Sequence, residues 1–207
     1  MKKWRLLALA GVVLGATVPA YADFMIDPNP TGEKLFIDNA NKNVDSFVGI
    51  VGSNVSGPLV DVTTVGNVDT GSGFSNITPV KGGTLTSLTF TPKDGNLFND
   101  FGFRGQLLAA GTVTVTVLDN QGGAPQSFDF NVAKANQDFG TLGITAIPGT
   151  GETIKSVTVS VDPLGAGFKE EKQNIFSIAA VPEPGTYAML GLGVGLLGIV
   201  LRRRKSL

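Results

Sequence analysis

The chain contains neither cysteine nor histidine, and both absences restrict what it can do. Without cysteine there is no disulfide, so the folded part must be stabilised by an ordinary hydrophobic core. Without histidine the usual general base, the Ser-His-Asp and Cys-His arrangements and the commonest zinc ligand are all missing. Enzymatic chemistry would have to depend on carboxylates, Lys, Ser or Thr.

Polar aromatic residues and basic residues are scarce between the two ends of the chain. The only Trp is Trp4 and the only Tyr residues are Tyr21 and Tyr187, whereas all thirteen Phe residues lie between residues 23 and 181. The same region holds nine basic and sixteen acidic residues, a formal charge of -7. That charge repels phosphate backbones, so we expect no nucleic acid as a partner. It also repels anionic polysaccharide unless divalent cations bridge the two.

The first 22 residues predict a secretory signal peptide. Cations precede an apolar stretch from Leu6 to Val18, and small residues follow at Ala20 and Ala22. This order is typical of a segment that signal peptidase removes, here after Ala22. A retained membrane anchor is the alternative, but the apolar run is short for a span. We therefore expect the region 23–181 to be exported.

Strict alternation of apolar and polar residues predicts strands in this region. Gly111–Asp119 alternates inward Val with outward Thr, and the segments 127–132 and 156–162 repeat the pattern. The turn residues at 121–125 predict that the first two segments form a hairpin. Weaker strand patterns occur at 34–38, 46–51, 59–65, 85–91, 98–104, 142–147 and 174–179. Many short strands separated by Gly, Pro and Asn predict an all-β single domain, an antiparallel β-sandwich or jelly roll.

The region 182–207 has three parts in a fixed order. It begins with an extended tripeptide, Pro182, Glu183 and Pro184. An uncharged segment predicted to be helical follows at 187–201. The region ends in four cations, Arg202, Arg203, Arg204 and Lys205. As a helix the uncharged segment would span about 22 Å, less than the ~30 Å hydrocarbon core of a bilayer. The cations would hold the C-terminus on the cytoplasmic side, so that the domain faces outward. A permanent single-span anchor is the alternative to a removable tail.

This order resembles the C-terminus of PEP-CTERM proteins. The resemblance implies recognition by a membrane-embedded exosortase in a Gram-negative bacterium that makes extracellular polysaccharide. It also implies a transient stay in the inner membrane, removal of the tail, and release or attachment at the cell surface. A second resemblance covers LTFTPKDGNLFNDFGFRG at 88–105, with TVTVTVLDNQGG, SFDFNVAKANQDFG and GFKEEKQNIFSI. These stretches are similar to the β-rich domain of many exosortase-dependent surface proteins, a domain that brings no established ligand with it.

Oxygen-bearing side chains are dense in KDGNLFND, which makes calcium the one cofactor worth considering. Asp94, Asn96, Asn99 and Asp100 lie within seven residues, and Ca²⁺ takes six to eight hard oxygen ligands. The spacing is not that of an EF-hand loop, and Asp-Gly-Asn is also ordinary turn chemistry. These four residues are therefore weak calcium candidates, and no other cofactor is expected.

Carboxylates are the remaining catalytic candidates, and none forms a recognisable pair. Glycoside hydrolysis needs two acids facing one another across a groove. Glu170 and Glu171 are adjacent, and with Lys169 and Lys172 they are expected to form a solvated turn. We therefore expect a non-enzymatic exported protein that is a structural or adhesive component of the cell surface or exopolysaccharide matrix, as in a biofilm. A glycan-binding module of that matrix is the alternative, although the Trp and Tyr faces on which sugar rings usually stack are missing.

Overall fold

The computed structural model describes residues 24–52 and 56–179. The predicted signal peptide at 1–22 and the predicted helix at 187–201 lie outside these ranges. Within the described part, no helix has the length and apolar character needed to cross a membrane. The same part of the chain forms thirteen strands and one short 3₁₀ turn, Leu164–Ala166, which confirms the all-β prediction.

The strands are β1 (Phe24–Ile26), β2 (Glu33–Ile37), β3 (Val44–Val51), β4 (Leu59–Thr70), β5 (Gly73–Phe74), β6 (Asn76–Pro79), β7 (Ser87–Pro92), β8 (Leu97–Leu107), β9 (Gly111–Asp119), β10 (Gln126–Val132), β11 (Leu142–Ala146), β12 (Ile154–Asp162) and β13 (Phe168–Ala179).

The strands pair into one continuous antiparallel sheet that closes on itself. Its order is β1-β11-β8-β13-β2-β3-β4-β7-β12-β9-β10, and a further pairing joins β8 to β12. Seven of these strands, β8, β13, β2, β3, β4, β7 and β12, therefore form a closed barrel. The two ends of the sheet extend beyond it, as β11 and β1 on one side and as β9 and β10 on the other. β5 is added to β2, and β6 bridges β13 and β4.

The sheet arrangement differs from the predicted two-layer sandwich, which is not confirmed. Alternation in the sequence reports which side of each strand is buried, and that pattern is the same for a sandwich and for a barrel. The difference lies in long-range pairings. Ile154 of β12 pairs with Phe98 of β8, and this single residue pair closes the ring.

Phenylalanine and valine side chains form the core. Phe98 and Phe176 have ring centroids 4.6 Å apart, and Phe101 lies 5.3 Å from Phe90 and 5.6 Å from Phe103. All five rings are at most 1% exposed. Burying rings of this size removes a large apolar area from water, at about 25 cal/mol per Å², so a chain without disulfides can still be stable.

The β9–β10 hairpin is confirmed, including the faces assigned from the sequence. Val115 pairs with Phe128 and is fully buried, whereas Thr116 pairs with Ser127 on the outer face. The hydroxyls of Thr116 and Ser127 lie 2.9 Å apart and form a hydrogen bond. Inward Val and outward Thr therefore produce the predicted half-buried strand.

The prediction of a solvated turn around Glu170 and Glu171 was wrong. Both residues belong to β13, and Glu171 is completely buried while Glu170 is half-buried on the other side of the strand. The register against β8 shifts between Lys172 and Ile175, and Gln173 there has a positive φ of 52°. The bulge turns both Glu171 and Asn174 inward, which simple alternation does not allow.

Candidate functional site

A cleft of about 500 Å³ opens where β8 begins, β11 and β13 end, and the loop at 147–153 crosses between β11 and β12. This volume lies in the range of small-ligand sites, roughly 300 to 1,000 Å³. Small apolar groups complete the lining, Ala179 among them. Side chains that can form hydrogen bonds line much of the rest: Asn99, Asp100, Thr145, Glu152, Thr153 and Ser177.

Asp100 is held in the wall of the cleft by two hydroxyl groups. The Thr31 hydroxyl donates to Oδ2 at 2.7 Å, and the Thr145 hydroxyl donates to Oδ1. The sheet fixes these positions, because Asp100 of β8 pairs with Thr145 of β11 on one side and with Ser177 of β13 on the other. The side chain is only 8% exposed, so its carboxylate is positioned before any ligand arrives.

Two glycines allow Thr31 to reach Asp100. Gly102 of β8 and Gly143 of β11 pair directly, and Pro30 packs over both of them. A Cβ on Gly143 would lie 2.6 Å from the backbone oxygen of Asp27 and 2.8 Å from Cγ of Pro30. Only glycine therefore leaves room for the segment that carries Thr31.

Glu152 forms part of the wall contributed by the β11–β12 loop. It is 8% exposed and follows Gly149 and Gly151, which both have positive φ angles that favour glycine. Neither Lys nor Arg occurs among the described residues that line the cleft. With two carboxylates and no lining cation, the cleft favours an uncharged polar ligand over an anionic one.

The four calcium candidates lie in two different environments. Asp94 and Asn96 belong to the turn between β7 and β8, where Asp94 has a φ of 57° and both the backbone and side-chain nitrogens of Asn96 donate to the Lys93 carbonyl. Asn99 and Asp100 instead line the cleft. In the ranges that the structure describes, no group of three or more Asp, Glu, His or Cys is arranged to hold a metal ion. Calcium binding stays an untested expectation.

Only part of this site is predictable from the sequence. The local pattern singles out Asn99 and Asp100, but not Glu152, Thr31 and Ser177, which lie far from them along the chain. No local pattern marks these three residues, because antiparallel pairing and the path of a loop bring them together.

The C-terminal region matches a family described as the PEP-CTERM protein-sorting motif, over residues 180–205. The chain carries a PEP-CTERM sorting motif. The match spans the tripeptide at 182–184 and ends at Lys205, and it begins directly after the last residue of β13. A PEP-CTERM motif implies export and sorting to the cell surface. The predicted cleavage residues Ala20 and Ala22 and the predicted sorting residues lie outside the described part of the structure.

Other comparisons show only distant likeness. A search of curated proteins found no match. The enzymatically active domain of bacteriophage CBA120 tailspike protein 4 is 14% identical with a TM-score of 0.32, over 76% of this chain and 20% of that one. The chain thus spans about a fifth of the length of that tailspike chain. A mutant of CBM29-2, a family 29 carbohydrate-binding module, is 11% identical with a TM-score of 0.33, over 72% of this chain and 91% of the other.

Proposed function

We propose that this PEP-CTERM protein is an exported, non-enzymatic component of the cell surface or of the extracellular matrix, and that exosortase processes its tail. Signal peptidase would remove the segment 1–22, leaving the β-domain as the mature protein. The observation that carries the proposal is the motif match at 180–205, which follows β13 without an intervening domain.

The structural role is supported by the domain itself. Its strands are bound into one closed sheet around a phenylalanine core, and its outer face carries many Ser and Thr residues. Such a domain can be durable outside the cell without disulfides or a metal. The absence of histidine from the whole sequence leaves it few groups for acid-base catalysis.

Replacement of Pro182, Glu183 and Pro184 by alanine tests the sorting proposal. We expect the triple variant to accumulate in the inner-membrane fraction of the native host, while the wild-type protein reaches the surface or the medium. Thr186→Ala, just outside the tripeptide, is the matched control and should sort normally. Equal surface delivery of the triple variant and the wild-type protein would contradict the proposal.

Glycan binding at the cleft is the second candidate function, and the cleft's lining favours it. The carboxylates of Asp100 and Glu152 can accept hydrogen bonds from sugar hydroxyls, while the amide of Asn99 can both donate and accept. Since acidic groups line the cleft, a neutral glycan fits better than a uronic or sulfated one. The described lining contains no aromatic ring, so hydrogen bonds rather than stacking would have to supply specificity.

Binding of the surface-processed protein to the host's own polysaccharide tests the second candidate. We expect Asn99→Ala and Ser177→Ala to weaken binding by about tenfold each, the loss of roughly one hydrogen bond. Ser127→Ala on β10 removes a comparable hydroxyl from the outer face of the sheet and is the control. A parallel assay with a chelator decides whether Ca²⁺ takes part. Unchanged binding in both cleft variants would exclude the cleft as the site.

A further inference from the structure

A polar cluster lies inside the domain, on the strand that leads to the sorting motif. It consists of Glu171 and Asn174 of β13 and of Ser75, which lies between β5 and β6. Glu171 and Asn174 have no exposed surface, and Ser75 is 2% exposed. Polar groups buried this deeply cost free energy unless they are hydrogen-bonded, so each of their atoms should have a partner.

Most of the cluster's hydrogen bonds are present in the structure. The backbone nitrogen of Asn174 donates to the Ser75 hydroxyl at 3.0 Å, and its side-chain nitrogen donates to the same oxygen at 3.1 Å. The Asn174 side-chain nitrogen also donates to Oε2 of Glu171 at 2.9 Å. An amide nitrogen has two hydrogens, and this arrangement uses both of them.

Two buried atoms of the cluster are left without a partner, Oε1 of Glu171 and Oδ1 of Asn174. A carboxylate oxygen and an amide oxygen are both acceptors, so neither can satisfy the other while Glu171 is ionised. A proton on Glu171 changes this, because a carboxylic acid donates one hydrogen bond and still accepts others. One proton would therefore satisfy both unpaired atoms.

We infer that Glu171 is protonated in the native protein and donates from Oε1 to Oδ1 of Asn174. With the bond from Asn174 to Oε2, this makes a two-point acid–amide pair. This pair, the acid–amide lock, fixes the bulge of β13 in neutral and acidic surroundings and orients Asn174, which in turn holds Ser75 between β5 and β6. The lock is lost when the environment becomes alkaline. Since β13 ends at Ala179, the lock stabilises the strand from which the sorting motif continues.

The electrostatic surroundings agree with a neutral Glu171. Burial raises the pKa of this carboxyl from 4.5 to about 8, and the hydrogen bond from Asn174 offsets only part of the rise. Glu171 pairs with Gly105 of β8 and Ile77 of β6, and β6 has no charged residue. The charged groups nearby on β8 and β13 are Arg104, Lys169, Glu170 and Lys172, and none of them is among the causes of the shift in the pKa of Glu171. Lys169 is exposed, and the other three form ion pairs away from Glu171, although Nε of Arg104 has no partner. Arg104 and Lys172 bind Asp138 at 3.3 and 3.4 Å, and Lys172 also binds Glu170.

The direction of the pH effect follows from proton binding. Below pH 4.5 Glu171 is protonated in both the folded and unfolded chains, so the lock makes its full contribution to the free energy of unfolding. Between 4.5 and about 8 the folded chain holds a proton that the unfolded chain has released, so stability falls as pH rises. Above about 8 both forms are charged and the contribution is gone.

Glu171→Gln in the full-length chain, purified in mild detergent, tests the inference. Glutamine can make the same two-point pair with Asn174 but does not titrate. We expect the melting temperature of the variant to match wild type near about pH 5 and to exceed it by about 4 °C or more near about pH 9. Glu170→Gln, on the neighbouring residue, should leave the wild-type pH dependence unchanged. A wild-type to Glu171→Gln difference that stays constant with pH would overturn the inference.

Infrared spectroscopy of the wild-type protein gives a second test that needs no variant to fold. A protonated carboxyl C=O stretch should be present at neutral pH, shift in D₂O, and disappear as pH passes about 8. Absence of that band at neutral pH would show that Glu171 is ionised and would refute the lock. Because neither test involves the tail, their failure would leave the sorting proposal intact.

Discussion

Single residues hold the loops of this domain in place through buried polar contacts. Asp119, at the end of β9, is the clearest case, since it is 1% exposed and follows a run of inward valines. Its Oδ1 accepts three backbone N–H groups, from Gln121 at 2.7 Å, Gly122 at 2.6 Å and Gly123 at 3.0 Å. One carboxylate therefore organises the turn of the β9–β10 hairpin.

Asp119→Ala should lower the free energy of unfolding by about 2 kcal/mol, because hydrogen bonds to a charged acceptor are lost and the turn is no longer held. Asp119→Asn keeps an acceptor oxygen for the three N–H groups but places an amide nitrogen where Oδ2 is buried without a partner, so its cost should be smaller, about 1 kcal/mol. Chemical denaturation of the two variants and wild type measures both values. Similar losses in the two variants would mean that the side chain fills space rather than ordering the turn.

At the scale of elements, alternation identified most strands but not their exceptions. The segments 111–119, 127–132 and 156–162 fold as predicted, within β9, β10 and β12, although β12 begins earlier and has an irregularity between Ile154 and Ser156. β1, β5 and β6 are two to four residues long, too short to show a period, so the sequence does not predict them. The bulge at Gln173 also escaped notice, because one residue with positive φ reverses the inward and outward assignments beyond it.

The two faces of β9 should respond very differently to a new charge. Val115 is fully buried, so Val115→Asp places an unpaired carboxylate in the core and should cost on the order of 4 kcal/mol or unfold the domain. Thr116→Asp adds the same charge to the outer face and should cost about 1 kcal/mol, mainly for the hydrogen bond to Ser127. Thermal unfolding followed by circular dichroism compares them. Comparable losses would contradict the assignment of the faces.

At the scale of the whole molecule, a closed β-domain is followed along the chain by a sorting motif. The tail could be read from sequence because its three parts are contiguous, and the motif match at 180–205 agrees with that reading. The cleft could not be predicted from the sequence, since Asp100 and Glu152 line the same cleft only when β8, β11 and β12 are assembled. Barrel closure could not be predicted from a local pattern either, because it depends on the pairing of Phe98 with Ile154, which are distant along the chain.

The mass of the mature protein tests the central claim most directly. Protein recovered from the surface or the medium of the native host would be analysed intact by mass spectrometry, together with the protein from inner membranes. We expect the external form to lack the signal peptide and everything beyond the neighbourhood of residues 182–184. External protein that still carries the hydrophobic segment and Arg202–Lys205 would contradict it.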